Sequence, residues 1–201
     1  PYINGGKKTP PPQWAKLSQA ERNQQAVELL KEAGFDNTNP LNLSLLYNTS
    51  DNHKKIAIAV ASLWKKNLAG VVNVKLENQE WKTYLDSRRQ GNYDIARAGW
   101  CADYNEATTF LNYYLSTSSN NTAFYKSQTY DDLLASSYRQ ESDEKRAEIY
   151  AALERQLDQD TALIPLYYYV APRMVKPYVK GFAVGHPSET YYLKDVYIVK
   201  P

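Results

Sequence analysis

The sequence predicts an α/β fold, a mixed, mainly parallel sheet flanked by helices. Short apolar runs with period-two alternation take turns with longer runs of helical period, in the order strand, helix, strand, helix, strand. Alternation of that kind implies parallel strands joined by right-handed crossovers. Size agrees: 201 residues are enough for one domain with its own core, or one domain and part of another.

Residues 1–17, rich in Pro, Gly and Lys, read as an exposed connecting segment. A helix begins at Ser18, where Ser18 and Glu21 have capping-box spacing. Ala26, Leu30 and Ala33 share one of its faces, and Gly34 is a natural stop. "LNLSLLYN" alternates through Leu41, Leu43, Leu45 and Tyr47 as a strand. Ser50 or Asp51 can cap the next helix, lined on one side by Ile56, Val60, Leu63 and Trp64. "VVNVKLE" is a second strand, through Val72, Val74 and Leu76. A short helix follows, with Trp81, Tyr84, Leu85 and Arg88 on one side and Gly91 as its stop. "YDIARAGW" is the third strand.

The remainder is helical, then extended. "EATTFLNYYL" predicts a short helix, "TYDDLLASSYRQ" another, and "SDEKRAEIYAALERQLDQD" a third with Ile149, Leu153 and Leu157 inward. "ALIPLYYYVAPRMV" reads as a buried strand holding Tyr167, Tyr168 and Tyr169. A last strand is expected near Val196–Val199.

Composition excludes several functions. A net charge of +2 lacks the basic stripe that a nucleic-acid surface needs. No apolar run approaches the ~20 residues of a membrane span. The chain opens on Pro1, so it reads as a mature protein or a fragment, with no leader to give a location. His53 and His186 lie far apart, with no HxxxH or CxxC spacing, so no metal is expected. Phosphate-loop and GxSxG patterns are missing, and no cofactor is implied. Cys101, the single cysteine, is either a buried thiol or one whose partner lies elsewhere. As a nucleophile, in a cysteine hydrolase for example, it would need a base, and no histidine is local.

The most informative stretch is "ARAGWCADYNEATTFL", at the carboxyl end of the third strand. In open α/β sheets, ligands sit outside the carboxyl ends of strands. Asp103 has two readings: a helix-cap or turn residue, or a carboxylate that receives a ligand ammonium group. Arg97 either pairs with a protein carboxylate or receives a ligand carboxylate bidentately. Strict alternation puts Arg97 and Trp100 on opposite faces, so both face one cavity only with a bend near Gly99. His53 could be a surface residue of a helix N-terminus, Arg88 and Arg89 a solvated helix end, Trp81 and Trp100 core. Eighteen tyrosines favour, slightly, a surface that is apolar and still makes hydrogen bonds.

"RAGWCADYNE", with "LLYNTSDNHKK", "NQEWKT", "NTAFYKS" and "PLYYYV", closely resembles the periplasmic oligopeptide-binding proteins of ABC importers. What matches is the C-terminal part of that family. The resemblance implies a periplasmic-binding-protein-like lobe: residues 1–170 as most of the second peptide-binding lobe, and 171–201 as a tail that crosses back to complete the first lobe's sheet. It implies a periplasmic setting and no enzymatic activity. The implied partners are short peptides, ABC permease subunits and the N-terminal part of the same protein, which is absent from this chain.

By the same resemblance, Asp103 pairs with the peptide's α-ammonium group. The backbone of Gly99 and Cys101 pairs with the peptide strand. Arg97 and His53 receive the peptide carboxylate at particular lengths, and Arg88 reaches that of a shorter peptide. Trp81, Trp100 and Tyr169 line pockets. The counterpart of Cys101 is disulfide-bonded to an upstream cysteine. Ala107 stands where many relatives have Pro. Relatives specialised for murein tripeptide or haem are the alternative within the family.

Overall fold

The elements form where the sequence supplies both a period and its punctuation. The computed structural model describes residues 11–170, 172–182 and 193–200. Most of the expected connecting segment, residues 1–10, lies outside them, as do parts of the expected tail. The described chain divides into two compact units, residues 11–99 with 122–124, and residues 100–121 with those from 125 onward.

In the first unit, α1 (Gln19–Glu32) starts on a complete capping box. The Ser18 hydroxyl accepts from the Glu21 N–H, and the Glu21 carboxylate accepts from the Ser18 N–H at 2.8 Å. Three parallel strands follow: β1 (Leu41–Asn48), β2 (Val72–Gln79) and β3 (Ile95–Ala96), in the order β2-β1-β3. Registration runs from Leu41 opposite Val72 to Asn48 opposite Gln79, and β3 sets Leu45 opposite Ile95. Between the strands lie α2 (Asp51–Asn67) and α3 (Trp81–Gln90).

The third strand is shorter than the eight residues its pattern suggests. Ahead of it the Asp94 carboxylate takes the Ser44 N–H at 2.7 Å and the Ser44 hydroxyl at 2.8 Å, so a side chain stands in for the ladder there. Beyond it only the Arg97 N–H reaches back, to Leu46 O at 2.8 Å.

Alternation sorts the core. Leu45 and Tyr47 pack with Ala57 of α2, joined by Val60, Val74, Leu76 and Ile95. Ala57 takes the deepest position of α2, and Leu63, expected inward, is half exposed; a small side chain lets the helix approach the sheet. Leu46, on the opposite face of β1, is wholly buried, and α3 packs against that strand with Tyr84 buried. Gly91 ends α3 at φ +73°, where a side chain would be strained and its Cβ would meet the Phe124 ring at 3.0 Å.

The second unit is helical: α4 (Thr108–Leu111) running into a 3-10 turn at Asn112–Tyr114, α5 (Gln128–Ser137) and α6 (Asp143–Gln159). Ser127 and Ser142 cap α5 and α6 through their hydroxyls. Leu111, Tyr130, Leu134, Tyr150, Leu153 and Leu157 form the core, with Ile149 packed on it. A two-residue antiparallel ribbon, β4 (Val179–Lys180) with β5 (Tyr197–Ile198), meets the expectation of a last strand.

"ALIPLYYYV" corrects the sequence reading. Its described residues form no strand, and Ile164, Leu166, Tyr167, Tyr168, Tyr169 and Val170 are exposed. An apolar run makes a strand only where a neighbouring edge takes its backbone groups, and no described strand pairs with this one. No helix among the described residues is long and apolar enough to cross a membrane.

Candidate functional site

Strand order locates the first group of candidate residues. The chain leaves β1 for β2, then returns past β1 to β3. The carboxyl ends of β1 and β3 therefore flank the point where the order reverses, the usual ligand position in such sheets. Asn48 closes β1 there, and His53 stands in the first turn of α2 with Nδ1 2.9 Å from Asn48 Oδ1. An amide oxygen only accepts, so Nδ1 carries the proton and a neutral ring leaves Nε2 as an acceptor. Burial lowers the pKa of His53, and the positive charge of Arg97 lowers it further. Arg97 follows directly on β3 and is partly buried.

Arg97 is set from behind. The phenol of Tyr84 donates to the Arg97 carbonyl. Arg88 donates to the same phenolic oxygen at 3.3 Å and to Thr122 Oγ1 at 2.5 Å, and it lies over the Tyr84 ring. The Arg88 guanidinium is thus engaged by its own unit, whereas its neighbour Arg89 pairs with Asp86 at the surface. Trp81 stacks on Tyr84 at 5.6 Å, yet is 58% exposed. It is no core residue. Gly99 is exposed and does not share the positive φ of Gly34, Gly70, Gly91 and Gly181.

The second unit carries Trp100, Cys101, Asp103 and Tyr169. A cleft of about 200 Å³ is lined by Trp100, Asp103, Tyr104, Thr109, Asn112 and Tyr113, among others. Trp100 meets Tyr113 edge-on at 5.2 Å, which makes an aromatic wall. Asp103 is exposed. Its N–H donates to Thr109 Oγ1 at 3.0 Å, and its carboxylate makes no hydrogen bond or ion pair among the described residues. Between its two readings, the helix cap is not what forms: α4 has no side-chain cap. The local turn is served by Glu106, whose carboxylate accepts from the Thr108 N–H at 2.6 Å, the Thr108 hydroxyl, and Tyr150 at 2.7 Å. Burial raises the pKa of Glu106, but these bonds and the charge of Arg146 outweigh it and hold it below the ordinary value.

Ala107 enters α4 at φ −64°, the angle a proline ring imposes, so its own φ admits proline. Cys101 is an exposed free thiol, which corrects the buried reading. Tyr169 is half exposed and meets Tyr167 edge-on at 5.5 Å. The main chain from Ala98 to Ala102 makes no hydrogen bond among the described residues. No group of three His, Cys, Asp or Glu gathers among them. Glu106, Thr109 and Tyr150 were not singled out from the sequence; Glu106 and Tyr150 lie 44 positions apart, and no local motif announces their contact.

The fold is α/β, with the first group of candidate residues at the carboxyl ends of parallel strands. Residues 2–122 match the family described as bacterial extracellular solute-binding proteins, family 5 Middle. The chain belongs to that family. It is 58% identical over 200 residues to the periplasmic oligopeptide-binding protein OppA of Salmonella typhimurium, covering all of this chain and 36% of that protein. Haemophilus influenzae OppA, solved in complex with RPPGFSPFR, superposes with a TM-score of 0.86 at 56% identity, over 94% of this chain and 37% of the other. The Escherichia coli murein tripeptide binding protein MppA gives 0.88 at 45% identity, over 100% and 39%. The chain thus spans little more than a third of the length of these relatives.

Proposed function

We propose that this chain is the peptide-binding part of a periplasmic solute-binding protein. The whole protein captures short oligopeptides by backbone and termini and delivers them to an ABC permease. One observation carries this reading: an exposed Asp103 carboxylate closes a main-chain stretch, Ala98–Ala102, and among the described residues neither that carboxylate nor the donors and acceptors of that stretch are engaged. Such a stretch can take a guest as an added strand, and that recognition ignores side chains. The names of the relatives point the same way.

In this reading Asp103 receives the peptide's α-ammonium group, and the backbone of Gly99 and Cys101 pairs with the peptide strand. Arg97 and His53 receive carboxylates of particular peptide lengths, and Arg88 that of a shorter peptide through water. Trp81, Trp100 and Tyr169 line pockets. Residues 1–170 are most of one lobe and 171–201 a tail completing the other. Binding is non-covalent, and Cys101 is no nucleophile: Cys101→Ala leaves peptide affinity intact, and an amidase activity lost with that change would reverse this view.

The deciding experiment is titration calorimetry of the full-length protein with a tripeptide. Asp103→Asn removes a charge pair that closure buries, and costs about 2–5 kcal/mol of binding. Unchanged affinity removes the central assignment.

A further inference from the structure

The polar groups around Asp103 are spent on one another. Thr109, almost fully buried, turns its hydroxyl to the Asp103 N–H at 3.0 Å. The Thr109 N–H reaches Glu106 O at 3.3 Å, and the Glu106 N–H reaches Tyr104 O at 3.0 Å. The Tyr104 hydroxyl lies 3.0 Å from Thr108 Oγ1. Glu106 in turn is held by Tyr150 of α6, and the carbonyl of Leu111, at the end of α4, accepts from Tyr130 of α5 at 2.9 Å. Tyr130 and Tyr150 are both buried in the helical core. The loop from Asp103 to Leu111 is therefore clamped at two points by the α5–α6 pair. Within this mesh Asp103 is exposed, and its carboxylate has no hydrogen-bond or ion-pair partner among the described residues.

We propose that Thr109 and Glu106, with Glu106 anchored on Tyr150, are positioning residues that fix the main chain of Asp103 so that its carboxylate is presented to a ligand's ammonium group. This rests on the reading of Asp103 given above and goes beyond it by naming what sets the acid in place. A fixed anion is ready before the ligand arrives; a mobile one loses part of the interaction to ordering. In this role both act through the main chain of Asp103, so their loss weakens recognition of the charged amine and spares recognition of the rest of the peptide.

The test compares a free tripeptide with its N-acetylated form on the full-length protein. Calorimetry gives the affinity ratio of the two, which isolates the amine. Asp103→Asn collapses that ratio. Thr109→Val, which keeps the volume and drops the hydroxyl, and Tyr150→Phe each lower it about five- to tenfold, the equivalent of one hydrogen bond, while the acetylated peptide binds as before. Thr109→Ser restores it. A ratio unmoved by Thr109→Val and Tyr150→Phe, but collapsed by Asp103→Asn, overturns the positioning role and leaves the reading of Asp103 standing. A ratio unmoved by Asp103→Asn overturns both. Thermal melts identify a variant whose fold is lost, and Thr109→Ser then decides: a ratio below that of the unaltered protein by the full five- to tenfold overturns the role of the hydroxyl.

Discussion

At the scale of single residues, His53 shows how a small environment sets a chemical state. Burial and the Arg97 charge both favour the neutral ring, and Asn48 fixes the proton on Nδ1. A carboxylate arriving at Nε2 meets a lone pair and is bound well only by the cation. A peptide whose terminus lies there therefore raises the His53 pKa, and the complex holds more protons than its parts. Affinity for that peptide length rises as pH falls through the pKa in the complex toward the lower value of the free protein. Calorimetry in buffers of different ionisation enthalpy measures the proton uptake. An equal uptake for peptides of all lengths would detach His53 from the terminus. At Asp103 the sequence leaves open a helix-cap or turn residue and a ligand group. That Asp103 caps no helix depends on Glu106 serving the turn, and so on a contact with Tyr150 across the core.

At the scale of elements, local signals were decisive where they were complete. Ser18 and Glu21 announced a helix start that both hydrogen bonds fulfil, and Gly91 announced a stop that its left-handed backbone fulfils. The third strand was legible in existence and not in length, because Asp94 takes the Ser44 N–H in place of a further ladder bond. The apolar run "ALIPLYYYV" misled, because apolar character makes a segment fit for burial and says nothing of what lies beside it. For α4, the entry geometry at Ala107 already matches that of proline. Ala107→Pro therefore restricts the unfolded chain with no cost to the helix, and raises stability by about 0.4–1 kcal/mol. Denaturant melts of the two forms measure it; a loss of stability would mean that Glu106 cannot take the extended backbone proline favours before it.

At the scale of the whole molecule, the α/β class followed from element order, while the proposed site rests on the particular residues of one turn. The described surface leaves several large apolar side chains to water, notably Ile164, Leu166 and Tyr168, the last 96% exposed. The chain on its own should therefore bind the dye ANS more strongly than the full-length protein does. Leu166→Ser and Val170→Ser should lower that fluorescence with little change in melting temperature. Equal dye binding by chain and full-length protein would show that these residues stay bare in both.

The exposed sulfur of Cys101 has a practical use. It is the sole thiol in these 201 residues and lies two positions from Asp103. A maleimide fluorophore on the reduced chain attaches at a single atom, and its colour and lifetime then report from beside the acid, with no second label to subtract.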